Sequence, residues 1–258
     1  MKSLQHKTVL ITGASAGIGE ATAIAFAEQG LRLILTARRK DKLDMLAKLL
    51  KEKFNTESLC MSLDVTRQKD VQKTIDGLPA AWSKIDILIN NAGLGRGVDK
   101  IHEARIEDWE EMIDTNIKGL LYVSRAVIPG MVKRNSGHVI NLGSAAGHEV
   151  YPGGNVYCAT KHAVDALTKA MRMDLIETPV RVSTVDPGLV ETDFGIVRFK
   201  GDTEKAKKPY ENIQPLVGAD IADIIVFIAS RPAHVNINEV IVMPKAQAST
   251  TMVYRGKK

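Results

Sequence analysis

Residues 8–20 read TVLITGASAGIGE, in which an apolar run leads through a cluster of glycines into a helical pattern. Glycine reaches positive φ without steric strain, and without a Cβ it lets a ligand approach the backbone closely. The helix that follows offers unpaired N–H groups and the positive end of its dipole to an anion. A strand before and a helix after therefore predict a phosphate-binding turn, rather than a glycine turn that only packs. Its candidate residues are Gly13, Ser15, Gly17, Ile18 and Gly19.

Outward from this turn, short apolar runs alternate with longer amphipathic stretches. The apolar runs, predicted to be strands, are Thr8–Thr12, Arg32–Thr36, Ser58–Leu63, Ile85–Asn90, His138–Leu142, Arg181–Val185 and Glu239–Met243. The predicted helices are Gly19–Glu28, Lys40–Phe54, Arg67–Leu78, Ile106–Arg134, Asn155–Ile176 and Asp220–Ser230. Several strands are apolar at successive positions, which is typical of strands covered on both faces. The alternation predicts an α/β fold: a Rossmann-like, doubly wound parallel sheet of about seven strands with helices on both faces.

The bulk composition favours one globular domain over residues 1–258. The chain has 258 residues, 45% hydrophobic and 25% charged, which is near the upper size that one core supports. The net charge of +5 comes without a Lys/Arg block or a basic-aromatic stripe, so we expect no nucleic-acid partner. No apolar run approaches the length that spans a bilayer, so we expect no membrane association.

The cysteine count and the first residues indicate the compartment. Two cysteines in a chain of this length do not make a disulfide framework, which fits a reducing environment. The segment Met1–Lys7 is short and polar and leaves no room for the apolar region of a signal peptide. We therefore expect a cytoplasmic protein. We also expect no metal site, because His138 and His162 have no ligand spacing with other donors.

The end of the second strand indicates the type of dinucleotide. In NAD-binding folds, an acidic residue about twenty positions after the glycines binds the ribose 2′-hydroxyl. Here the strand is followed by Arg38 and Arg39, and no carboxylate stands at that position. An arginine fork matches a phosphate with two parallel charge-assisted hydrogen bonds. The pair therefore predicts NADP as the cofactor; the alternative is an arginine pair at the start of a solvated helix.

A second set of residues has the pattern of a catalytic site. Tyr157 and Lys161 are four positions apart in a predicted helix, which places them on one face. Ser144 lies just past a strand, thirteen residues before Tyr157, and Asn116 lies within the long helix Ile106–Arg134. A lone Tyr-x-x-x-Lys is common on helix surfaces, but all four residues occur here in order after the glycine turn.

Together these motifs resemble the short-chain dehydrogenase/reductase family. The glycine spacing is G-x-x-x-G-x-G, not the commoner G-x-G-x-x-G, and the Asn, Ser, Tyr and Lys set is complete. The resemblance implies an oxidoreductase that moves a hydride between NADP(H) and a hydroxyl or carbonyl carbon, with Tyr157 transferring the proton. The ammonium of Lys161 is expected to lower the pKa of Tyr157, and Ser144 to donate a hydrogen bond to the substrate oxygen. Asn116 is implied to hold a water that links Lys161 to solvent.

The resemblance also implies cofactor contacts at other strand ends. Asp64 and Val65 follow the third strand and are expected near the adenine, although Asp64 could also cap the next helix. Asn91 follows the fourth strand and is implied to be a cofactor contact. The turn after the sixth strand is expected to shape the nicotinamide pocket through Pro187, Gly188, Leu189, Val190 and Thr192.

Residues 190–214 show no steady period between a strand and a helix, and we interpret them as a substrate lid. Within them Arg198 and Lys200 could bind an anionic substrate group, or belong to a mobile basic loop. Three stretches, at residues 151–157, 197–202 and 233–238, are similar to the NADP-dependent 3-hydroxy-acid dehydrogenases that oxidise serine and allo-threonine. That similarity implies a short hydroxy acid, or its carbonyl product, as the small-molecule substrate, with Ser144, Tyr157 and Arg198 in contact with it, and a homotetramer.

Two alternatives remain open at this point. The chain could be a short-chain reductase of another carbonyl class, such as a steroid, a small ketone or an acyl-carrier-bound ketone, although the lid holds few large apolar residues. Less favoured is a non-catalytic NADP(H)-binding regulatory protein. The tail, residues 245–258, is expected either to be disordered at its end or to pack on a neighbouring subunit.

Overall fold

The seven predicted strands form one parallel sheet in the computed structural model, which describes residues 4–256. The sheet strands are β1 (Thr8–Thr12), β2 (Arg32–Ala37), β3 (Ser58–Ser62), β4 (Ile87–Asn90), β5 (Gly137–Leu142), β6 (Val180–Pro187) and β9 (Glu239–Val242). Two short strands, β7 (Val190–Glu191) and β8 (Leu216–Val217), pair in parallel outside it. The expected α/β class and parallel sheet are therefore confirmed.

The helices alternate with these strands. They are α1 (Gly17–Glu28), α2 (Lys40–Phe54), α3 (Gln68–Asp76), α4 (Ile106–Ile113), α5 (Leu120–Lys133), α6 (Asn155–Asp174), α7 (Phe194–Arg198), α8 (Thr203–Lys207) and α9 (Gly218–Ala229). Within residues 4–256, no helix combines the length and apolar character needed to cross a membrane.

Neighbouring residues of each central strand face opposite cores. Val9 and Ile11 of β1 belong to a cluster that includes Phe26 of α1 and Ile225 of α9. Leu10, between them, belongs to a second cluster with residues of α3 and α5. A strand buried on both faces must be apolar at every position, which explains why these runs do not alternate with polar residues.

The strand order, β3-β2-β1-β4-β5-β6-β9, reverses direction between β1 and β4. In open parallel sheets, ligands bind outside the carboxyl ends of the strands at this switch point. The glycine turn follows β1 and Asn91 follows β4, so the topology brings the two motifs together at that position.

Three elements differ from the sequence prediction. The predicted helix Ile106–Arg134 contains a π-helical segment, Asp114–Gly119, between α4 and α5. Strand β6 extends to Pro187 because β9 pairs with its last residues, Asp186 opposite Ile241 and Pro187 opposite Val242. The predicted lid is not irregular: it begins with β7 and contains α7 and α8.

The C-terminal segment folds back onto its own chain as far as residue 256, and the two expectations for its end and for a neighbouring subunit stay predictions. Gln247 forms an antiparallel bridge with Val253. Arg255 donates hydrogen bonds to the carbonyl oxygens of Glu211 and Pro209 at 2.6 and 3.0 Å, which connects this segment to the predicted lid. Lys257 and Lys258 lie outside the described residues.

Candidate active site

The glycine turn brings two stretches of backbone closer together than side chains allow. Gly13 has a φ of +65°, and a Cβ there would lie 2.9 Å from the Cα of Ala92. A Cβ on Gly19 would meet the carbonyl oxygen of Gly13 and, at 2.5 Å, Nδ2 of Asn91. That amide donates to the carbonyl oxygens of Thr12 and Gly13 at 2.8 and 3.1 Å. Asn91 therefore ties β4 to the turn after β1 and fixes the shape of the turn.

Positive groups surround this turn. Helix α1 begins at Gly17 and has no side-chain N-cap, so its first N–H groups stay available to an anion. Arg38 and Arg39 are both exposed at the end of β2. Nη2 of Arg39 donates to Oγ of Ser15 at 3.2 Å, which places the arginine beside the turn.

Asp64 closes a turn instead of capping the next helix. Its Oδ1 accepts hydrogen bonds from the backbone N–H and the hydroxyl of Thr66 at 3.0 and 2.8 Å. Helix α3 has Arg67 at its N-cap, without a side-chain hydrogen bond, so the capping alternative is wrong. Asp64 and Val65 both line the cavity described next.

A cavity of about 610 Å³ lies at the carboxyl ends of the strands and extends under α7. Most residues predicted for the site line it: Gly13, Ser15, Gly17, Ile18, Arg38, Arg39, Asp64, Val65, Asn91, Ser144, Tyr157, Lys161, Pro187, Gly188, Leu189, Val190, Thr192 and Arg198. Gly19 and Asn116 lie behind its wall. The backbone contacts of Gly13 and Gly19, the free N–H groups of α1 and the arginine pair all fit a dinucleotide with a 2′-phosphate.

Tyr157 and Lys161 lie one turn apart on α6 and both line the cavity. Both side chains are almost fully buried, with 9% and 8% of their surface exposed. Nζ of Lys161 donates to the carbonyl oxygen of Leu142 at 2.8 Å. Oγ of Ser144 accepts from the N–H of Ala146 at 3.1 Å, which fixes the turn after β5.

Burial is the largest influence on both ionisable groups. It raises the pKa of the Tyr157 phenol above its ordinary range; Tyr151 raises it further, and the neighbouring Ser144 hydroxyl opposes the shift. It lowers the pKa of Lys161 to about 8, against the smaller effect of Asp186. The net shift of the Tyr157 pKa is upward because desolvation of the phenolate outweighs the opposing effects of Ser144 and Arg198. That the Lys161 ammonium lowers this pKa stays a prediction.

Asn116 stands in the π-helical segment, next to the catalytic pair but outside the cavity. Its Oδ1 accepts from the N–H of Leu94, and its Nδ2 donates to the carbonyl oxygen of Leu94 and to Oγ1 of Thr160, each at 2.9–3.0 Å. Short π-helical insertions reorient side chains and are frequent at functional sites. Here both N–H groups and one lone pair of the amide fix the loop after β4 against α6, and the water implied for Asn116 stays a prediction.

Arg198 of α7 lies beside Tyr157, the predicted catalytic tyrosine. Its guanidinium carbon lies 5.2 Å from the ring centre of Tyr157. Nε donates to the carbonyl oxygen of Gly97 at 2.8 Å and Nη1 to the hydroxyl of Tyr151 at 3.0 Å. Nη2 is buried and has no hydrogen-bond partner among residues 4–256. The guanidinium thus lies beside Tyr157, and Nη2 keeps its donors unused behind the atoms that cover it.

Lys200, the other cation predicted to bind an anionic substrate, is placed differently. Its Nζ pairs with Asp108 at 2.7 Å on the outer surface, and it does not line the cavity. The two alternatives for the lid cations therefore divide: Arg198 faces the cavity, and Lys200 belongs to a surface ion pair.

The residues that line the same cavity without having been predicted include Tyr151, Phe194 and Gln247. The ring of Phe194 lies 5.6 Å from that of Tyr157. Oε1 of Gln247 accepts from the N–H of Leu189 at 2.8 Å, so the C-terminal segment supports the turn after β6. No local pattern marks Gln247, because only the return of the chain after β9 brings it to the site.

Comparisons with known proteins agree with this geometry. The short chain dehydrogenase family model matches residues 7–202. The chain is 50% identical over 241 residues to an NADP-dependent 3-hydroxy acid dehydrogenase of Salmonella typhi, covering 93% of this chain and 96% of that protein. It is 44% identical over 256 residues to an NADP-dependent 3-hydroxy acid dehydrogenase of Schizosaccharomyces pombe, covering 99% of both chains.

Solved structures extend the similarity to three dimensions. The closed form of a serine dehydrogenase complexed with NADP⁺ has a TM-score of 0.90 and 45% identity, covering 97% of this chain and all of that chain. Serine dehydrogenase from Escherichia coli has a TM-score of 0.80 and 42% identity, covering 93% of this chain and 99% of that one. With the dinucleotide cavity and the Tyr157–Lys161 pair, these similarities show that the chain belongs to the short-chain dehydrogenase/reductase family and is an NADP-dependent dehydrogenase acting on hydroxyl groups.

Proposed function

We propose that this dehydrogenase acts on a short 3-hydroxy acid such as serine or allo-threonine, or on the corresponding carbonyl compound. The observation that carries the proposal is the unused, buried Nη2 of Arg198 beside the ring of Tyr157. In a 3-hydroxy acid, one carbon separates the carboxylate from the carbon that bears the hydroxyl. The guanidinium carbon of Arg198 lies only 5.2 Å from the ring centre of Tyr157. A carboxylate bound by Arg198 would therefore bring the nearby hydroxyl of the same molecule close to Tyr157.

Because Nη2 of Arg198 is buried away from water, a contact between it and a carboxylate is stronger than it would be on the surface. A charge-assisted hydrogen bond contributes about 1.5–3 kcal/mol net, and a guanidinium is suited to the paired oxygens of a carboxylate. The neighbouring Tyr151 hydroxyl and Gly97 carbonyl already orient the fork. The proposal gains support from the curated 3-hydroxy acid dehydrogenases and serine dehydrogenases that the chain resembles.

We propose that residues of this chain transfer the proton of the reaction. The cofactor, when bound, accepts the hydride as NADP⁺ in oxidation and supplies it as NADPH in reduction. Tyr157 gives its proton to the substrate oxygen in reduction, since its raised pKa keeps the phenol protonated. In oxidation the phenolate form of Tyr157 takes the proton that the substrate hydroxyl loses. The Ser144 hydroxyl, which donates to the carbonyl oxygen of Pro187 at 3.3 Å in this structure, would turn to donate to the same substrate oxygen. Lys161 supplies positive charge one helical turn from the phenol and would hold the ribose. Asn116 fixes the loop after β4 against α6, the helix that carries Tyr157 and Lys161.

The lid and the assembly are part of the same proposal. Residues 190–214 cover the cavity. Within them the hydroxyl of Tyr210 donates to the carbonyl oxygen of Val190 at 2.9 Å, and from the C-terminal segment Arg255 donates to the carbonyl oxygen of Glu211. Apolar side chains stay exposed near β9 and the C-terminal segment, at Val150, Ile241, Met252 and Tyr254. Such a surface is typical of a subunit contact, and we infer a cytoplasmic homotetramer. Light scattering on the purified protein tests this, and a monomer would contradict it.

Removing the Arg198 guanidinium should impair the binding of acid substrates and leave that of neutral substrates almost unchanged. We expect R198A to raise KM for L-serine or a 3-hydroxy acid by about tenfold to a hundredfold, the value of one charge-assisted hydrogen bond. KM for a neutral hydroxy compound or ketone should change little. Steady-state kinetics following NADPH absorbance measure both. K200A is the matched control, since it removes a cation of the same lid that pairs with Asp108 instead. Equal losses on acid and neutral substrates would argue against a carboxylate contact.

Removing the arginine pair should change the cofactor preference. We expect R38A/R39A to lower the NADP-over-NAD ratio of kcat/KM by at least about tenfold, because each guanidinium offers charge-assisted bonds to the 2′-phosphate. The effect should shrink at high salt, since both side chains are exposed and screening is strong there. K40A, next in the chain, removes a cation that pairs with Asp44 and should leave the ratio unchanged. An unaltered ratio in the double variant would sink the assignment.

A further inference from the structure

Asp186 is a buried carboxylate that the reaction scheme above does not use. It lies near the end of β6, one residue before Pro187, with 1% of its surface exposed. Oδ1 accepts hydrogen bonds from the backbone N–H of Ser144 at 3.1 Å and from the hydroxyl of Thr184 at 3.0 Å. Oδ2 has no hydrogen-bond partner among residues 4–256. A buried carboxylate needs such compensation, so the contact with Ser144 is a candidate reason for its presence.

The unused oxygen of Asp186 faces a histidine that a second carboxylate flanks. Nε2 of His148 lies 3.5 Å from Oδ2 of Asp186, and Nδ1 lies 3.6 Å from Oε1 of Glu239. A single metal ion could bind only one ring nitrogen, whereas here each nitrogen faces a different carboxylate. The arrangement is therefore an imidazole between two carboxylates, with one carboxylate at each ring nitrogen.

The backbone next to the catalytic serine is shaped around this carboxylate. A Cβ on Gly143 would collide with Oδ1 of Asp186. The N–H of Gly143 donates to the carbonyl oxygen of Val185 at 2.9 Å, so the chain leaves β5 in direct contact with the end of β6. The position of Ser144 is consequently set from one side by the carboxylate of Asp186.

We propose that Asp186, flanked by His148 with Glu239 on the other side of the imidazole, is a positioning residue. Through the Ser144 backbone N–H it fixes the Ser144 hydroxyl toward the reacting oxygen. The proposal rests on the role of Ser144 in the proposed function, but not on which hydroxy compound is the substrate. Other charges face the group from α6. Lys161 interacts with Asp186, Lys169 lies 3.9 Å from Glu239, and Arg172 is also close enough to interact with Glu239.

The ionisation of Asp186 should make the activity of the protein depend on pH. Burial raises the pKa of Asp186 to about 6, while Thr184 and His148 oppose the shift. Below that pH the carboxyl gains a proton and its hydrogen bond to the Ser144 N–H weakens. Above it, the carboxylate also favours the protonated form of Lys161. Both effects act in the same direction, so the arrangement favours activity above pH 6.

The decisive test is a double-mutant cycle with Ser144. We expect D186N to lower kcat by about tenfold, the size of one charge-assisted hydrogen bond, while the Kd for NADPH from fluorescence quenching changes less than about twofold. In an S144A background the same substitution should have little further effect, because a residue that acts through the serine hydroxyl has nothing left to position. The limb of the kcat–pH profile near 6 should vanish in D186N. Any hydroxy or carbonyl compound that the wild type turns over serves as substrate, so failure of the 3-hydroxy-acid assignment stays separate.

H148Q and E239Q keep the proposal testable where D186N does not fold. Both residues are partly exposed, and each variant should lower kcat by a smaller factor than D186N, with NADPH binding retained. E52Q, a charge loss on the exposed face of α2, is the control and should match the wild type. Full additivity of D186N and S144A would overturn the proposal, as would a kcat within about twofold of wild type in all three variants. A change of wild-type activity on adding EDTA or Zn²⁺ would replace it with a cation site.

Discussion

Replacing Tyr157 with phenylalanine is expected to lower kcat/KM by about 10²–10⁴, the usual contribution of general acid–base catalysis. The substitution removes one oxygen and keeps the ring, which packs against Phe194 and lies below Arg198. The fold and the cavity should therefore survive. In the reduction direction the substrate oxygen loses its proton donor, and in oxidation it loses its acceptor.

Three measurements separate this loss from a folding defect. The Tm and the Kd for NADPH of Y157F should stay close to the wild-type values, and the remaining activity should respond weakly to pH. Y122F removes the hydroxyl of a half-buried tyrosine on α5 that packs in the second core cluster, and it should retain full activity. Wild-type turnover by Y157F would refute the catalytic assignment and revive a non-catalytic, NADP(H)-binding role for the fold.

Replacing Lys161 with methionine should change activity and stability in opposite directions. Methionine has a similar length and no charge, so turnover should fall by about 10²–10³ as the positive charge beside Tyr157 disappears. The free energy of unfolding should rise, since burial of the ammonium opposes folding. With a pKa lowered from 10.5 to about 8, the destabilisation near pH 7 is at most about 3 kcal/mol.

The pH dependence of stability gives this prediction a second readout. Between pH 8 and 10.5 the unfolded chain keeps the Lys161 proton and the folded chain has lost it. Stability then increases with pH, because the unfolded state binds more protons. Denaturant unfolding of the wild type should show this rise, and K161M should lack it. K48M, a change at an exposed lysine of α2, should retain the rise. A K161M variant that is less stable than wild type at pH 7 would contradict the account.

Much of the fold and the dinucleotide half of the site follow from local sequence. The glycine turn, the arginine pair and the Tyr157–Lys161 spacing each lie within one strand–turn–helix unit, where backbone conformation and short sequence spacing determine geometry. Parallel strands apolar at every position require two covering layers, so the doubly wound sheet followed as well. Some strand boundaries differ from the prediction, because they depend on pairing with a distant strand. Strand β6 is longer than predicted because pairing with β9 extends it through Asp186.

The other half of the site depends on contacts between residues far apart in the chain. Whether Arg198 or Lys200 faces the substrate was undecidable locally, because each cation is fixed by partners about a hundred residues away, Gly97 and Asp108 respectively. The pKa of Tyr157 depends on how much water the packed cavity excludes, and spacing along one helix contains no information on that. Sequence alone thus determined the fold and the cofactor, and it set Tyr157 and Lys161 one helical turn apart. Only tertiary packing decided which cation faces the cavity, the pKa of the tyrosine and the Asp186 contact with Ser144, because desolvation and long-range hydrogen bonds exist only once the layers have assembled.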